Sequence, residues 1–547
     1  MSFSKKKLSI VLVIALALFS FKQADDYFEV SKNLEIFSAV YKELHTGYVD
    51  EIKPGDMMKK GIDAMMMSLD PYTNFYTESQ AEDAMIQRSG EFGGIGCSSM
   101  KRGDYIYITV VHKGLPADIA GLKVGDKLLE INGKSFIGKS IDESSNALRG
   151  APNTKLNITI DRAGNKLSME ITRQEIKTKN VTYYGMVNQE VGYMKLEHFM
   201  AGAGEEVKNA LVDLKSKGAK NIILDLRDNG GGLLHEAVHI VNVFVPINTL
   251  VTTTKGRLQE EFREYFTLNN AIDAKIPLVV LVNQYSASAS EIVSGAIQDL
   301  DRGIVIGRNT FGKGLVQNTR SLPYRTQMKL TVAKYYIPSG RCIQLLDYSK
   351  RNSDGSAGII PDSLRKAFKT KNNRKVFDGG GVKPDILVDD AQKPNIVKLL
   401  ESNYIYFDYA THYFSKNKQI SDSKTFTLSE TDYQDFKSYI SSNQFTYTTS
   451  SETAIKQLKE KLKNDAYDQQ MSNEIAQLEN KMNAVKSSDL DKNKNEILKA
   501  LQLEIVRRYF YEESKIENSF AIDEHFKKAL DLFNDPVKYN QLLSPLN

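Results

Sequence analysis

The order of apolar and polar positions changes character several times along the chain, and each change predicts a different kind of element. Leu8 to Phe21 form an apolar run behind Lys5, Lys6 and Lys7, and polar Lys22, Gln23, Asp25 and Asp26 follow it. A basic start and an apolar stretch of about 14 residues have the form of a secretory signal. The run falls short of the roughly 20 residues that span a bilayer. No clear small-x-small cleavage site follows, so an uncleaved anchor is the alternative, and no cysteine follows that would favour a lipoprotein. From about residue 27 to 85 the spacing is helical: Phe37, Val40, Tyr41 and Leu44, then Met57, Met58, Ile62, Met65 and Met66. That spacing predicts helices whose methionines pack in a core.

Between about 92 and 178 the period shortens to that of strands. Tyr105–Val111 alternates Ile, Tyr, Thr and Val between Gly and Asp turns. A short helix is expected after Pro116, ending at Gly121 in a left-handed C-cap. Gly125-Asp126 then turns the chain into a strand, Lys127–Ile131, and Asn132-Gly133 is the dipeptide of a tight hairpin. From 179 to 345 strands and helices alternate. Asn221–Leu226 and Pro277–Val282 are continuous apolar runs, as in strands buried on both faces, and Ala289–Leu300 reads as a helix. Residues 346–378, rich in Ser, Asn, Lys and Arg, read as a surface insertion. Beyond about 392 the pattern is helical again, with solvated charges in stretches such as KQLKEKLKND.

Composition narrows the classes only a little. A chain of 547 residues is too long for one core, so three or four domains are expected. Its 41% hydrophobic and 26% charged residues are ordinary for globular protein. A net charge of +4 gives no reason to propose nucleic acid as a partner. Cys97 and Cys342 have no neighbours at metal-ligand spacing and read as packing residues.

Three short segments carry chemistry. NQYSASASEIVSGAIQDL, from Asn283 to Leu300, leaves a buried strand and opens a helix, so a serine there meets converging backbone amides and the positive helix end. The same residues, Ser288 to Glu291, have the S-x-x-E form of a capping box, which is the bland alternative. FGKGLVQ places Lys313 between two glycines, with Gln317 four residues on. Burial would lower that lysine's pKa until its neutral amine could act as a base, with Gln317 orienting it; the alternative is a surface lysine in a turn. LDLRDNGGG, from Leu224 to Gly232, runs a strand into glycines whose amides could face an oxyanion, or simply make a tight turn.

The stretch GLPADIAGLKVGDKLLEINGKSF, Gly114 to Phe136, resembles a PDZ domain. The preceding GGIG is similar to the loop with which PDZ domains hold a peptide carboxylate, which implies Gly94, Ile95 and Gly96 as peptide-binding residues. PDZ, LDLRDNGGG, SASASEI and FGKGLVQ, in that order and with LDPYTNFY (Leu69–Tyr76) ahead, resemble the carboxyl-terminal processing (tail-specific) proteases. The resemblance covers roughly residues 60 to 390. It implies a crotonase-like α/β peptidase core, with Ser288 as nucleophile, Lys313 as base and Gln317 as its orienting partner. Ala289 and Gly230 or Gly231 become the oxyanion donors. It further implies an acyl-enzyme, protein or peptide substrates with exposed C-termini, and a role in envelope protein processing or quality control.

Two readings compete. HEAVH, His235 to His239, is the zinc-protease motif, with Glu260 or Glu261 as a third ligand. A catalytically dead PDZ scaffold is the other. Neither uses SASASEI, FGKG and the PDZ segment together. The reading is thus a multidomain α/β serine endopeptidase, which needs no metal and no cofactor. Its expected parts are a signal or anchor (1–25), a helical region (26–91), a PDZ domain (92–178), a peptidase core (179–391, insertion 346–378) and a helical region (392–547). Export to the periplasm or cell envelope is expected, with membrane association through the N-terminal segment and helical flanks that can serve a homodimer.

Overall fold

The computed structural model describes residues 27–389 and 393–545. The apolar run at 8–21 lies outside them, and no helix among the described residues is long and apolar enough to cross a membrane. The chain divides into two compact units, Met1–Ala81 with Gln317–Thr331, and Glu82–Val316 with Val332–Asn547.

In the first unit the helical pattern gives a helix over residues 27–47 and a second, Pro54–Met67, with Pro54 at its first turn, but the methionines do not form the expected core: no residue of Pro54–Met67 is buried, and Met58 and Met65 are exposed. The Tyr41 hydroxyl donates to the Pro54 carbonyl at 2.7 Å. The expected run of helix to residue 85 is interrupted. Asn74–Tyr76 is a strand, paired antiparallel with Gln327, Met328 and Lys329. The buried Asp70 carboxylate turns the chain into it by accepting the amides of Tyr72 and Thr73 at 2.8 and 2.9 Å and the Thr73 hydroxyl at 3.1 Å.

The second unit holds the PDZ segment, the α/β core and the C-terminal helices. In the PDZ segment, strands Cys97–Arg102, Tyr105–Val111, Lys127–Ile131, Lys155–Arg162 and Asn165–Thr172 follow one another across an antiparallel sheet. The hairpin at Asn132-Gly133 has positive φ at both residues, 49° and 74°, as its turn type requires. Helix Ile141–Leu148 begins with a reciprocal Ser140/Glu143 cap. Ile106, Ile108, Leu122, Leu128, Leu156, Ile158 and Ile160 fill the core behind the sheet. Strand Cys97–Arg102 stands at the sheet edge, so its outer backbone groups are free to pair with an added strand.

The α/β core is built on a six-stranded sheet in the order Val181–Met186, Val191–Leu196, Asn221–Asp225, Leu278–Val282, Ile304–Gly307, Ile386–Leu387. The first pair is antiparallel and the rest are parallel. Every residue of Leu278–Val282 is buried, which explains its unbroken apolar run. One face packs helices Ala203–Ser216, Leu234–Phe244 and Ala289–Asp299 through Val207, Leu211, Ile240, Val241, Ile292 and Val293. The other face is covered by the chain's own C-terminus: Phe526, Ala529, Leu532 and Tyr539 pack on Ile223, Val279, Leu281 and Ile306. The Tyr539 hydroxyl both accepts from the Leu278 amide at 2.9 Å and donates to its carbonyl at 3.1 Å.

The remaining C-terminal helices form their own core around Tyr409, Tyr433, Phe436, Leu501 and Ile505. They hold the PDZ segment through Arg102 Nη1, which donates to both Asp408 carboxylate oxygens at 2.7 Å, and through the Tyr511 hydroxyl on Asp118 at 2.8 Å. The region read as a surface insertion folds into two hairpins, Leu346–Arg351 with Ala357–Ile359 and Ala367–Lys369 with Lys375–Phe377. It is not all surface: Arg374 is buried, with Asp301 at 2.6 Å and Asp385 at 2.5 Å.

The second face of the sheet therefore depends on the C-terminus. Phe526 is 1% exposed and stacks on Phe520 at 4.5 Å. Phe526→Ala is expected to cost about 3–5 kcal/mol through lost burial and the cavity left behind. Denaturant unfolding read by tyrosine fluorescence checks it, and an unchanged midpoint would show that this face needs no cover.

Candidate active site

Ser288 ends the turn that follows the buried strand Leu278–Val282 and stands immediately before helix Ala289–Asp299. Its backbone has φ 56° and ψ −112°, a region that L-residues visit at a cost of about 1–3 kcal/mol and that recurs at functional sites. The surrounding bonds hold it there. The Ser288 amide donates to Glu291 Oε2 at 2.8 Å, the reciprocal arm of the S-x-x-E cap, while the Glu291 amide returns to the Ser288 carbonyl at 2.8 Å. Ser286 Oγ donates to the Leu226 carbonyl at 2.8 Å.

Glu291 does more than cap. Its carboxylate is fully buried and accepts four donors: the Ser288 amide, the Lys313 amide at 2.9 Å, the Gly312 amide at 2.7 Å and the Thr310 hydroxyl at 2.5 Å. The turn bearing Lys313 is thus fastened to the residue it is expected to serve. A second bridge lies on the carbonyl side, where the buried Tyr335 hydroxyl reaches the carbonyls of Lys313 at 2.8 Å and Ser288 at 3.1 Å. Burial pushes the Tyr335 phenol well above its ordinary range, so it remains a donor. Burial also drives the Glu291 carboxyl up, to about 7, against the Thr310 hydroxyl and the three amides that favour its charged form. Gln317 lies in the strand Leu315–Ser321 and donates to Thr331 Oγ1 at 3.2 Å.

The glycine turn closes the other side. A Cβ on Gly231, whose φ is 94°, would fall 2.8 Å from the Ala289 nitrogen, 2.8 Å from Ser288 Cβ and 2.6 Å from the Ala287 carbonyl. Only glycine lets the turn approach the serine this closely. The Gly231 amide is taken by Asn229 Oδ1 at 2.9 Å, and Gly230 beside it is exposed. The Asn229 carbonyl accepts the Ala287 amide at 3.0 Å and Ser290 Oγ at 2.9 Å, and Asn283 and Asp228 exchange bonds of 3.0 and 2.8 Å. Ala289 opens its helix, so its amide is among those with no partner further back in the helix.

Gly94, Ile95 and Gly96 are all buried at the end of the strand leading to the PDZ edge, and the Ile95 and Gly96 carbonyls accept the amides of Ala117 and His112. Cys97 follows them with its thiol pushed up to about 12 by burial. Cys97 and Cys342 are both unbridged.

HEAVH lies on helix Leu234–Phe244, with His235 in the first turn. His235 and His239 face solvent with ring centroids 5.8 Å apart, whereas Glu236 points inward and receives the amides of Gly202 and Gly204 at 3.0 and 2.8 Å. That carboxylate secures the start of helix Ala203–Ser216 and is not placed as a base toward solvent. Among the described residues no group of three His, Cys, Asp or Glu side chains is arranged to hold a metal.

Sequence reasoning found Ser288, Lys313 and the glycine turn as separate pieces and took Glu291 only as a cap. It missed Thr310, Asn229 and Tyr335, whose parts depend on elements far apart in the chain.

Comparison with known proteins bears on the whole arrangement. The family "Peptidase family S41" matches residues 190–363, a "PDZ domain" matches 107–162, and "Probable PDZ-protease, C-terminal helical domain" matches 396–533. The "Probable CtpA-like serine protease" of Staphylococcus aureus is 35% identical over 355 residues, 63% of this chain and 70% of its own length. The corresponding protein of Staphylococcus epidermidis is 34% identical over 338 residues, 61% of this chain and 68% of its own. Among solved structures, a photosystem II D1 C-terminal processing protease is similar at 24% identity and a TM-score of 0.34, over 65% of this chain and 87% of its own. This chain belongs to peptidase family S41, as a CtpA-like, PDZ-containing serine peptidase.

Proposed function

We propose that the chain hydrolyses peptide bonds near protein C-termini with Ser288 as nucleophile and Lys313 as general base. The observation that carries this reading is the double bridge. One buried carboxylate joins the amides of Ser288 and Lys313, and one buried phenol joins their carbonyls. Two residues far apart in sequence are held at a fixed separation, as a nucleophile and its base require.

In the reaction, Lys313 with a neutral amine takes the Ser288 hydroxyl proton as the oxygen attacks the scissile carbonyl. The carbonyl π pair moves onto its oxygen, where the Ala289 amide and the Gly230 amide meet the developing charge, Gly231 beside it having its own amide on Asn229. The intermediate collapses, the C–N bond breaks, and the Lys313 ammonium returns its proton to the leaving amine. An ester on Ser288 remains. Water, deprotonated by the same amine, cleaves it to a carboxylic acid and regenerates the hydroxyl. The PDZ segment presents the substrate by adding its C-terminal residues to the edge strand Cys97–Arg102, with the terminal carboxylate toward Gly94, Ile95 and Gly96. A tail-binding protease with the N-terminal segment read above fits work on exported proteins in the cell envelope.

Two outcomes are expected. With a denatured protein as substrate, Ser288→Ala and Lys313→Ala each lose at least roughly 10³-fold in kcat, while His235→Ala and a chelator leave the rate unchanged. Activity surviving in Ser288→Ala, or lost with chelator, would contradict the assignment. The second concerns Glu291, whose carboxyl titrates near 7 folded and near 4.5 in its ordinary state. The folded chain therefore binds this proton more tightly than the unfolded one. The resulting stabilisation is complete below about 4.5 and is lost as pH rises through about 7. Melting temperature followed between these limits should show a falling contribution in the parent that is missing in Glu291→Gln. Parallel curves for the two proteins would reject it.

A further inference from the structure

The glycine turn is fastened at two ends. On the nucleophile side it is tied by Asn229, Asn283, Ser286 and Ser290, as described. Its other end, where strand Asn221–Asp225 leaves the sheet, is held by ions. The Arg227 guanidinium forks onto Asp225, with Nε at 3.0 Å and Nη2 at 2.6 Å, and the same Nη2 reaches Asp523 Oδ2 at 2.7 Å. Lys195 Nζ donates to the Arg227 carbonyl at 2.7 Å and lies 3.4 Å from Asp225. The Tyr193 hydroxyl completes the set on Asp225 Oδ2 at 2.7 Å. Side-chain exposure is 1% for Asp225, 17% for Arg227 and 14% for Asp523, so these charges are little screened. Burial raises the Asp225 pKa, but the charges of Arg227 and Lys195 outweigh it and hold the carboxyl below the usual range.

Asp523 belongs to a different part of the chain. It is the N-cap of helix Glu524–Phe533, the helix that covers the second face of the catalytic sheet, and its Oδ1 receives the Phe526 amide at 3.1 Å. One carboxylate thus starts the covering helix with one oxygen and anchors Arg227 with the other. Arg227 stands two residues before Asn229, whose carbonyl and side chain set the position of Ala287, Ser290 and Gly231.

We infer that Asp523 is a positioning residue for peptide hydrolysis: acting through Arg227, it fixes the oxyanion side of the site, so that the C-terminal helical region sets the rate of the chemical step as well as stabilising the sheet. The inference rests on the Ser288 reading. It gives Arg227 a reason to be an arginine, because a planar fork can grip Asp225 and still offer a hydrogen to Asp523, which a lysine cannot do with the same geometry. Misplacement of an oxyanion donor by a fraction of an ångström is felt in kcat, since the donor acts on charge present only in the transition state.

The test uses the full chain and a quenched fluorescent peptide with a free apolar C-terminus. Asp523→Asn retains a good helix N-cap while removing the charge that Arg227 meets. Expected are a fall in kcat of about tenfold, below the on the order of 10²–10³ that a wholly lost oxyanion donor costs, and a KM within about twofold. Arg227→Lys should fall similarly, and the double variant no further, as for residues acting in one chain of contact. Tyr539→Phe loosens the same covering region at Leu278 and serves as the comparison: it should lower the melting temperature and leave kcat unchanged. Parent-like kcat in Asp523→Asn would overturn the inference. So would kcat falling in step with melting temperature across all the variants, Tyr539→Phe included, since that is the behaviour of docking stability alone. Should Asp523→Asn fail to fold, Arg227→Lys carries the same expectation. Ser288→Ala in the same assay separates the two levels: activity there rejects the underlying reading, whereas an inactive Ser288→Ala beside a fully active Asp523→Asn rejects only the positioning role.

Discussion

A carboxylate removed from water must be either paired or surrounded by donors, and Glu291 is surrounded. Its four donors come from the turn before its own helix and from the 310–313 loop, so one group decides where two distant segments stand. Tyr335 repeats the constraint on the carbonyl side. The strained backbone at Ser288 is a consequence: φ 56° is kept because bonds on both sides of the residue leave it no other place. Gly231 is a consequence too, since the glycine turn reaches the serine only where no side chain stands between them. The proposed Ser288–Lys313 chemistry relies on this rigidity more than on any single contact of the reacting atoms.

The rigid site is mounted on a sheet whose two faces are closed from different parts of the sequence. Helices interleaved with the strands cover one face, and the last helices of the chain cover the other. The same C-terminal region grips the PDZ segment through Asp408 and Tyr511, and through Asp523 it grips Arg227 in the turn after strand Asn221–Asp225. The helical region beyond about residue 392 is therefore the common support of the PDZ and peptidase parts. Its charged stretches remain solvated surface, as their sequence implies, while Phe526, Leu532 and Tyr539 carry the packing.

Much of this was legible in the residues. Asn132-Gly133, Gly121 and the apolar run at 278–282 reported their own backbone or burial, because each obeys a local rule. Ser288 and the glycine turn were legible for the same reason. What escaped was tertiary. S-x-x-E announces a cap, and nothing in it announces that the same carboxylate will receive Thr310, Gly312 and Lys313. Tyr335 is one tyrosine among 27 until the fold brings its strand beside the serine. Asn74–Tyr76 is too short to show strand alternation, so its helical neighbours hid it. Arg374 sits in a polar stretch that composition assigns to the surface, yet Asp301 and Asp385 make its burial tolerable.

If Ser288 is the nucleophile and the Lys313 amine activates it, Ser288 must react with an electrophile aimed at activated serines. Covalent labelling addresses this, with a fluorophosphonate that phosphonylates activated serines and with peptide mapping of the product by mass spectrometry. A single adduct is expected on the peptide carrying Ser288 in the parent chain, and none in Lys313→Ala. An adduct on another residue, or an unlabelled Ser288 in a chain that still hydrolyses protein in the presence of the label, would contradict it.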